Sequence, residues 1–324
     1  MSAPEQRLPV VVLDEGYGDY DIENAVLAPL GAVVVPRPCG GDAARVRAAV
    51  PGAVAVLVRE SPIDARALDA MPGCRVIVRY GVGVDNIDLK GAAERGIHVA
   101  NVPDYGVDEV SDHALALLLA VARRVVSRDR AVRAGAWNVA RAEPMYRLRG
   151  RVLGLLGYGR IAAAFHRKAA ALGFAGTLVH DPFLKDPPDG AALVDVDTLC
   201  READVLSLHA PLNAGTRHIL NRARITLLKP TAIVVNTGRG PLLDAAALAE
   251  ALRDGRLFGA GIDVFETEPP PPDDPLLHAP RVVVTDHTAW YSEQAVADLQ
   301  RKAAEEVARV LRGEKPVHWV NRWP

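Results

Sequence analysis

Residues 152–162 read Val-Leu-Gly-Leu-Leu-Gly-Tyr-Gly-Arg-Ile-Ala, an apolar run that meets two glycines and continues into a helix-forming segment. A buried strand that turns at once into a helix aims the helix's first N–H groups out of the turn, where they can receive a phosphate. Gly157 permits the tight turn, and Gly159 lets backbone approach phosphate closely. Ala162 takes the third small position, where the helix packs on its strand, and alanine is an accepted variant there. Asp181 follows the next predicted strand, at the spacing where a carboxylate grips ribose hydroxyls and repels a 2′-phosphate. The expected cofactor is therefore NAD rather than NADP.

The turn belongs to a longer alternation. Valine-rich runs at 10–13, 32–35, 54–58, 76–78 and 98–102 alternate with helix-like segments such as 43–49 and 64–70. Such runs argue for a parallel sheet covered by helices. A second series at 151–156, 176–180, 205–209, 233–236, 259–262 and 281–285 has the glycine turn at its head, so it is the predicted cofactor domain. A chain of 324 residues, 49% of them hydrophobic, can bury more than one core. Residues 108–126 are apolar nearly all round, with Asp108 and Glu109 near the start and Arg123 and Arg124 near the end, as the helix dipole favours. One buried connecting helix is predicted there. The four prolines at 269–272 break regular structure. A final helix over 293–311 is long enough to return to the first domain. The expected organisation is α/β, with two Rossmann-like domains. A flavodoxin-like substrate-binding domain would comprise 1–102 and 291–324, and a doubly wound NAD-binding domain 103–290.

Formal charges nearly cancel at −2, and no basic run interleaves with aromatics, which argues against nucleic acid and for a small-molecule partner. Cys39, Cys74 and Cys200 are few, odd in number and widely spaced, unlike a disulfide framework or a metal site. No metal is expected. Residues 1–9 lack an apolar signal region, and the longest apolar helical run, 114–122, is too short to span a bilayer. A cytoplasmic protein with no membrane partner is expected.

Three residues at predicted strand ends complete a proton-transfer set. Arg239 stands in Asn236-Thr237-Gly238-Arg239-Gly240, Glu268 in Phe265-Glu266-Thr267-Glu268-Pro269, and His287 in Asp286-His287-Thr288-Ala289-Trp290. Histidine suits removal of a hydroxyl proton near neutral pH. Glu268 could orient the ring through its other nitrogen and favour its charged form, while Arg239 offers a planar fork to carboxylate and carbonyl oxygens. Taken singly, each is as readily an ordinary loop residue. Placed at strand ends, where α/β proteins bind ligands, and downstream of a nucleotide turn, they suggest a dehydrogenase.

These motifs resemble the D-isomer-specific 2-hydroxyacid dehydrogenase family, over roughly residues 76–320. The step of 29 residues from Arg239 to Glu268 fits the family pattern. The resemblance implies catalytic roles for Arg239, Glu268 and His287. It also implies NAD contacts at Gly157, Tyr158, Gly159, Arg160, Ile161 and Asp181, at the His209-Ala210-Pro211 turn, and at Thr216, Thr237, Gly238 and Asp263, the last toward the nicotinamide amide. It further implies that the amides of Val82 and Gly83 hold the substrate carboxylate, an anion in a backbone nest. Arg79 and residues 287–295 are most similar to the C-terminal-binding-protein branch, whose tryptophan lines a 2-keto acid pocket. Trp290 would play that part, or else cap the last helix as a core residue. Tyr80, Met145, Tyr146 and Tyr291 would shape the same pocket. A homodimer is expected from the family and from the apolar helix.

The sequence departs from the family where Asp286 replaces the usual proline, where Ala162 replaces glycine, and where Gly106 and Val107 precede the connecting helix in place of polar residues. The resemblance implies hydride transfer between nicotinamide and C2 of a 2-hydroxy or 2-keto acid. Two other readings stay open: oxidation of phosphite or a phosphonate by the same residues, and a NAD-sensing, corepressor-like interaction protein.

Overall fold

The computed structural model describes residues 7–137 and 143–323. Its contacts divide the chain into two units, Met1–Gly106 with Ser292–Pro324, and Val107–Tyr291.

In the first unit, β1 (Leu8–Val12), β2 (Ala32–Pro36), β3 (Ala55–Val58), β4 (Val76–Arg79) and β5 (His98–Ala100) form one parallel sheet in the order β2-β1-β3-β4-β5. This is the flavodoxin-like order, reversing between β1 and β3. Central strands are valine- and isoleucine-rich because both faces are covered: Val56, Val58 and Ile77 are buried with Val46, Leu68 and Met71 from the helical side. Helices start where the sequence offers caps. Asp42 accepts the amides of Ala44 and Arg45, and Asp88 that of Gly91.

The long helix Glu293–Leu311 starts where expected because the Ser292 hydroxyl accepts the Ala295 amide at 2.9 Å. It packs on helix Asp21–Leu27, and the two are tied at Glu23, which accepts Gln300 Nε2 at 3.0 Å and the Tyr80 hydroxyl at 2.6 Å. Tyr80 is thus sunk in the core at 1% exposure, which removes it from any pocket wall.

The C-terminal segment covers the edge strand. Trp319 bridges Ala100 in antiparallel fashion, and Val320 donates to Val99 O at 2.8 Å. Asn321 fixes this arrangement by accepting from Val99 N at 2.7 Å and donating to Ile97 O at 3.0 Å.

In the second unit, β6 (Val152–Leu156), β7 (Gly176–His180), β8 (Ala191–Leu193), β9 (Val205–Leu208), β10 (Ile233–Asn236), β11 (Gly259–Ile262) and β12 (Val282–Val284) are all parallel, ordered β12-β11-β10-β9-β6-β7-β8. The order reverses between β6 and β9, beside the glycine turn. β8 was not foreseen, since Ala-Ala-Leu at a sheet edge carries little strand propensity.

The expected single helix over 108–126 is two. Helix Val107–Ala122 ends before Arg124, which is left-handed at φ 55°, and helix Val125–Arg133 follows. At this break the Arg124 guanidinium lies 4.1 Å over the Phe258 ring. The first helix lies directly on β11, where a Cβ at Gly261 would fall 2.8 Å from Leu117 Cβ, so a weak strand former is required there.

Asn321→Ala would leave buried backbone groups of Ile97 and Val99 unpaired and cost about 2 kcal/mol. Chemical denaturation of the variant should show that loss, and an unchanged midpoint would refute the clasp.

Candidate active site

Gly157 follows β6 at φ 84°, and a Cβ there would lie 2.7 Å from Ala210 Cα, so the turns after β6 and β9 touch backbone to backbone. Helix Arg160–Ala170 then begins at Gly159 with no side chain capping its first amides. Space beside Gly159 is open. An uncapped helix start facing open space fits a phosphate. Arg160 is exposed, Ile161 half-buried and Ala162 buried.

Asp181, just past β7, is fixed by two amides, with Oδ2 accepting from Tyr158 at 2.9 Å and Oδ1 from Phe183 at 2.9 Å. The Tyr158 hydroxyl turns to His166 Nδ1 at 3.0 Å. His209 turns inward, its Nε2 2.9 Å from the Ser207 hydroxyl and its ring against Phe165 at 5.4 Å. Burial drives its pKa down to about 4. The Thr216 hydroxyl donates to Pro211 O at 2.6 Å and closes a turn. By contrast, the hydroxyl of Thr237 is buried and has no partner. An orphaned donor, a free helix start and a fixed acid together fit a dinucleotide.

Arg239 follows β10 on a loop locked by Asn236, whose amide donates to Arg239 O at 2.9 Å and whose oxygen accepts from Gly238 N at 3.1 Å. The guanidinium donates from Nη1 to Gly238 O at 2.9 Å. Gly240 is mandatory, because a Cβ would lie 1.9 Å from Phe265 C. That contact joins the arginine loop to the glutamate loop. His218 braces both, donating its amide to Pro241 O at 2.7 Å and setting Nε2 3.2 Å from Glu266, which also pairs with Arg217.

Glu268 Oε1 accepts the Phe265 amide at 2.8 Å, and Oε2 lies 2.5 Å from His287 Nδ1. Burial works to raise the Glu268 carboxyl, but the His287 bond and charge, the Phe265 amide and the nearby Arg239 leave it below its ordinary value. His287 sits after β12 with left-handed backbone at φ 58°, a conformation worth about 1 kcal/mol of strain for a non-glycine residue. Asp286 is spent elsewhere, accepting the Thr288 hydroxyl at 2.9 Å.

Asp263, 1% exposed after β11, holds the histidine loop. Its carbonyl accepts His287 N at 2.8 Å, and its carboxylate accepts Thr285 Oγ1 at 2.6 Å, Thr288 N at 3.1 Å and Ala289 N at 3.2 Å. Sequence reasoning missed Asn236, Thr285 and His113, the last 2.9 Å from Thr285. A polar histidine one turn from Val110 and Leu117 on an apolar helix was the available signal for His113.

On the first unit, Arg79 lies over Gly81, where a Cβ would meet its Nη1, and its Nε donates to Arg59 O at 3.2 Å. Among the described residues, no acceptor is found for the amides of Val82 and Gly83. Trp290 is half-buried, edge-on to Tyr291 at 5.7 Å. Tyr146 packs against Phe258 instead, at 5.5 Å.

A doubly wound unit with a dinucleotide turn and a carboxylate-bound histidine at a strand end defines a nicotinamide-dependent oxidoreductase. The family model for the D-isomer specific 2-hydroxyacid dehydrogenase NAD binding domain matches residues 115–289. Over 267 residues the chain is 43% identical to a glyoxylate reductase of Korarchaeum cryptofilum, covering 81% of this chain and 80% of that one. A solved Thermus thermophilus protein is 38% identical with a TM-score of 0.87, covering 97% and 100%. The D-lactate dehydrogenase of Aquifex aeolicus, solved with NAD and lactic acid, is 26% identical with a TM-score of 0.84, covering 94% and 96%. The chain belongs to the D-isomer-specific 2-hydroxyacid dehydrogenase family, NAD-dependent oxidoreductases acting on CH–OH groups.

His209 gives a pH signature. Its folded pKa of about 4 lies below the ordinary value of about 6.5, so the unfolded chain binds the extra proton. The associated stability is complete above pH 6.5 and lost as pH falls toward 4. Between pH 7 and pH 5 the loss is about 2 kcal/mol. Denaturation at both values should show a smaller pH difference in His209→Gln; an identical difference would contradict this.

Proposed function

We propose that the protein interconverts a small 2-keto acid and its 2-hydroxy acid, with glyoxylate the foremost candidate because the relative from Korarchaeum cryptofilum is named a glyoxylate reductase. The observation that carries the reading is the 2.5 Å pair of His287 Nδ1 and Glu268, set beside the arginine loop by the Gly240 contact. When bound, the nicotinamide supplies or accepts the hydride at substrate C2. His287 exchanges the hydroxyl proton through Nε2, since Nδ1 is held by Glu268. Glu268 keeps the ring oriented, and the protonated ring gives its proton to the keto oxygen during reduction. Arg239 polarises the carbonyl and pairs with the carboxylate.

On the first unit, the amides of Val82 and Gly83, with Arg79, take the substrate carboxylate. Trp290 lines the 2-keto acid pocket. For the dinucleotide, the turn Gly157, Tyr158, Gly159, Arg160 and Ile161 receives pyrophosphate, and Asp181 takes the ribose hydroxyls and favours NAD over NADP. The backbone of His209, Ala210 and Pro211, with Thr216, Thr237, Gly238 and Asp263, completes the site. Thr237, whose buried hydroxyl lacks a partner, is the strongest of these.

The test follows NADH absorbance with a panel of 2-keto acids. Turnover on glyoxylate should fall at least 10²-fold in His287→Ala. Glu268→Gln should lower kcat for glyoxylate reduction about tenfold or more, because the amide holds the imidazole less firmly. Full turnover in His287→Ala would refute the assignment.

A homodimer is the proposed assembly, supported by Trp137, Val125 and Val132, which are 76%, 54% and 50% exposed on the second unit. Light scattering at micromolar concentration should give twice the chain mass; a monomer mass would count against it. The three buried free thiols fit a reducing, cytoplasmic setting.

A further inference from the structure

We propose that His113 is a positioning residue for the reaction, acting on the His287 loop through Thr285 and Asp263. The Thr285 hydroxyl has one proton and lies 2.6 Å from Asp263 Oδ1, a carboxylate oxygen that only accepts. That proton goes to Asp263, so the Thr285 oxygen is the acceptor toward His113 Nε2 at 2.9 Å. His113 therefore carries its proton on Nε2, and a one-way donor chain runs from His113 through Thr285 to Asp263. Nε2 also stands 3.5 Å from Asp263 Oδ1.

Asp263 is the anchor for Thr285, His287, Thr288 and Ala289. Every one of those contacts comes from the loop being held. Among the described residues, His113 is the polar partner from outside that loop whose ring reaches the anchor. It projects from helix Val107–Ala122, which is fixed against β11 through Leu117. Without it, the Thr285 oxygen loses its second partner and the hydroxyl turns more freely, so the loop that carries a left-handed His287 relies on its strand contacts, Thr285 N to Ile262 O at 3.0 Å and His287 N to Asp263 O at 2.8 Å, and on the remaining bonds to Asp263. Such misplacement lowers the fraction of bound complexes that react rather than binding itself.

The inference rests on His287 as the proton-exchanging group. The experiment uses His113→Ala, His113→Gln, Thr285→Val, the Ala/Val double variant and His287→Ala, with glyoxylate and NADH. It adds hydrogen exchange over residues 287–289 in the protein without substrate. His113→Ala and Thr285→Val should each lower kcat about tenfold, with KM for glyoxylate within about twofold. The double variant should lose no more than the worse single variant, because both break one chain. The glutamine variant, whose amide can donate to Thr285, should recover most of the rate. Exchange at the Thr288 and Ala289 amides should quicken about tenfold in His113→Ala. Thr285→Val conserves shape, so it remains informative if the alanine variant folds poorly.

Unchanged exchange, or losses that multiply in the double variant, would overturn the proposal. So would full turnover in His113→Ala beside an inactive His287→Ala. Turnover retained in His287→Ala would overturn the base assignment and the relay with it.

Discussion

Parallel strands cannot be joined by a tight turn, and in both units every strand is parallel to its neighbours. Each chain crossing must run back over a face of the sheet, which places all the strand ends of one polarity along one edge. In the second unit that edge gathers Gly157 from β6, Asp181 from β7, His209 from β9, Arg239 from β10, Asp263 from β11 and His287 from β12. No residue in the set is near the next in sequence once the glycine turn is passed. Their proximity follows from strand order, and strand order follows from which apolar faces the helices must cover.

Much of this was legible in the residues. The strand, turn and helix at 152–162 could be read because each local preference agrees with the global fold: apolar strand, glycine where the backbone is left-handed, alanine where the helix packs. The helix over 293–311 was legible to the residue because Ser292 marks its start. The helix break at Arg124 was not, since the ring that its guanidinium meets, Phe258, is far away in sequence. Tyr80 looked available for a pocket because it adjoins Gly81, yet Glu23 draws its hydroxyl inward. Arg239 and Glu268 announced themselves through glycine and proline neighbours, and His287 through its place at a predicted strand end. Asn236, Thr285 and His113 did not, because a hydrogen bond between loops leaves no spacing in the sequence.

The Glu268–His287 pair shows how opposing terms are resolved. Burial alone would leave Glu268 protonated more readily than in water, yet the imidazole, an amide and a guanidinium reverse this. A carboxylate so held is a steady electrostatic partner, with its second oxygen tied to the Phe265 amide so that it cannot rotate away. Positional rigidity and charge are supplied by the same three neighbours.

The two amide bonds on Asp181 have a consequence for redesign. If Asp181 takes the ribose hydroxyls as proposed, an engineer wishing to make the protein accept a phosphorylated ribose would first remove this acid. Here the carboxylate also pins Tyr158 and Phe183, the former within the glycine turn. Alanine at that position would release both amides and blur the turn itself. A cofactor swap therefore calls for a short uncharged acceptor such as asparagine or serine, paired with a cation introduced nearby, so that recognition changes while the turn keeps its shape.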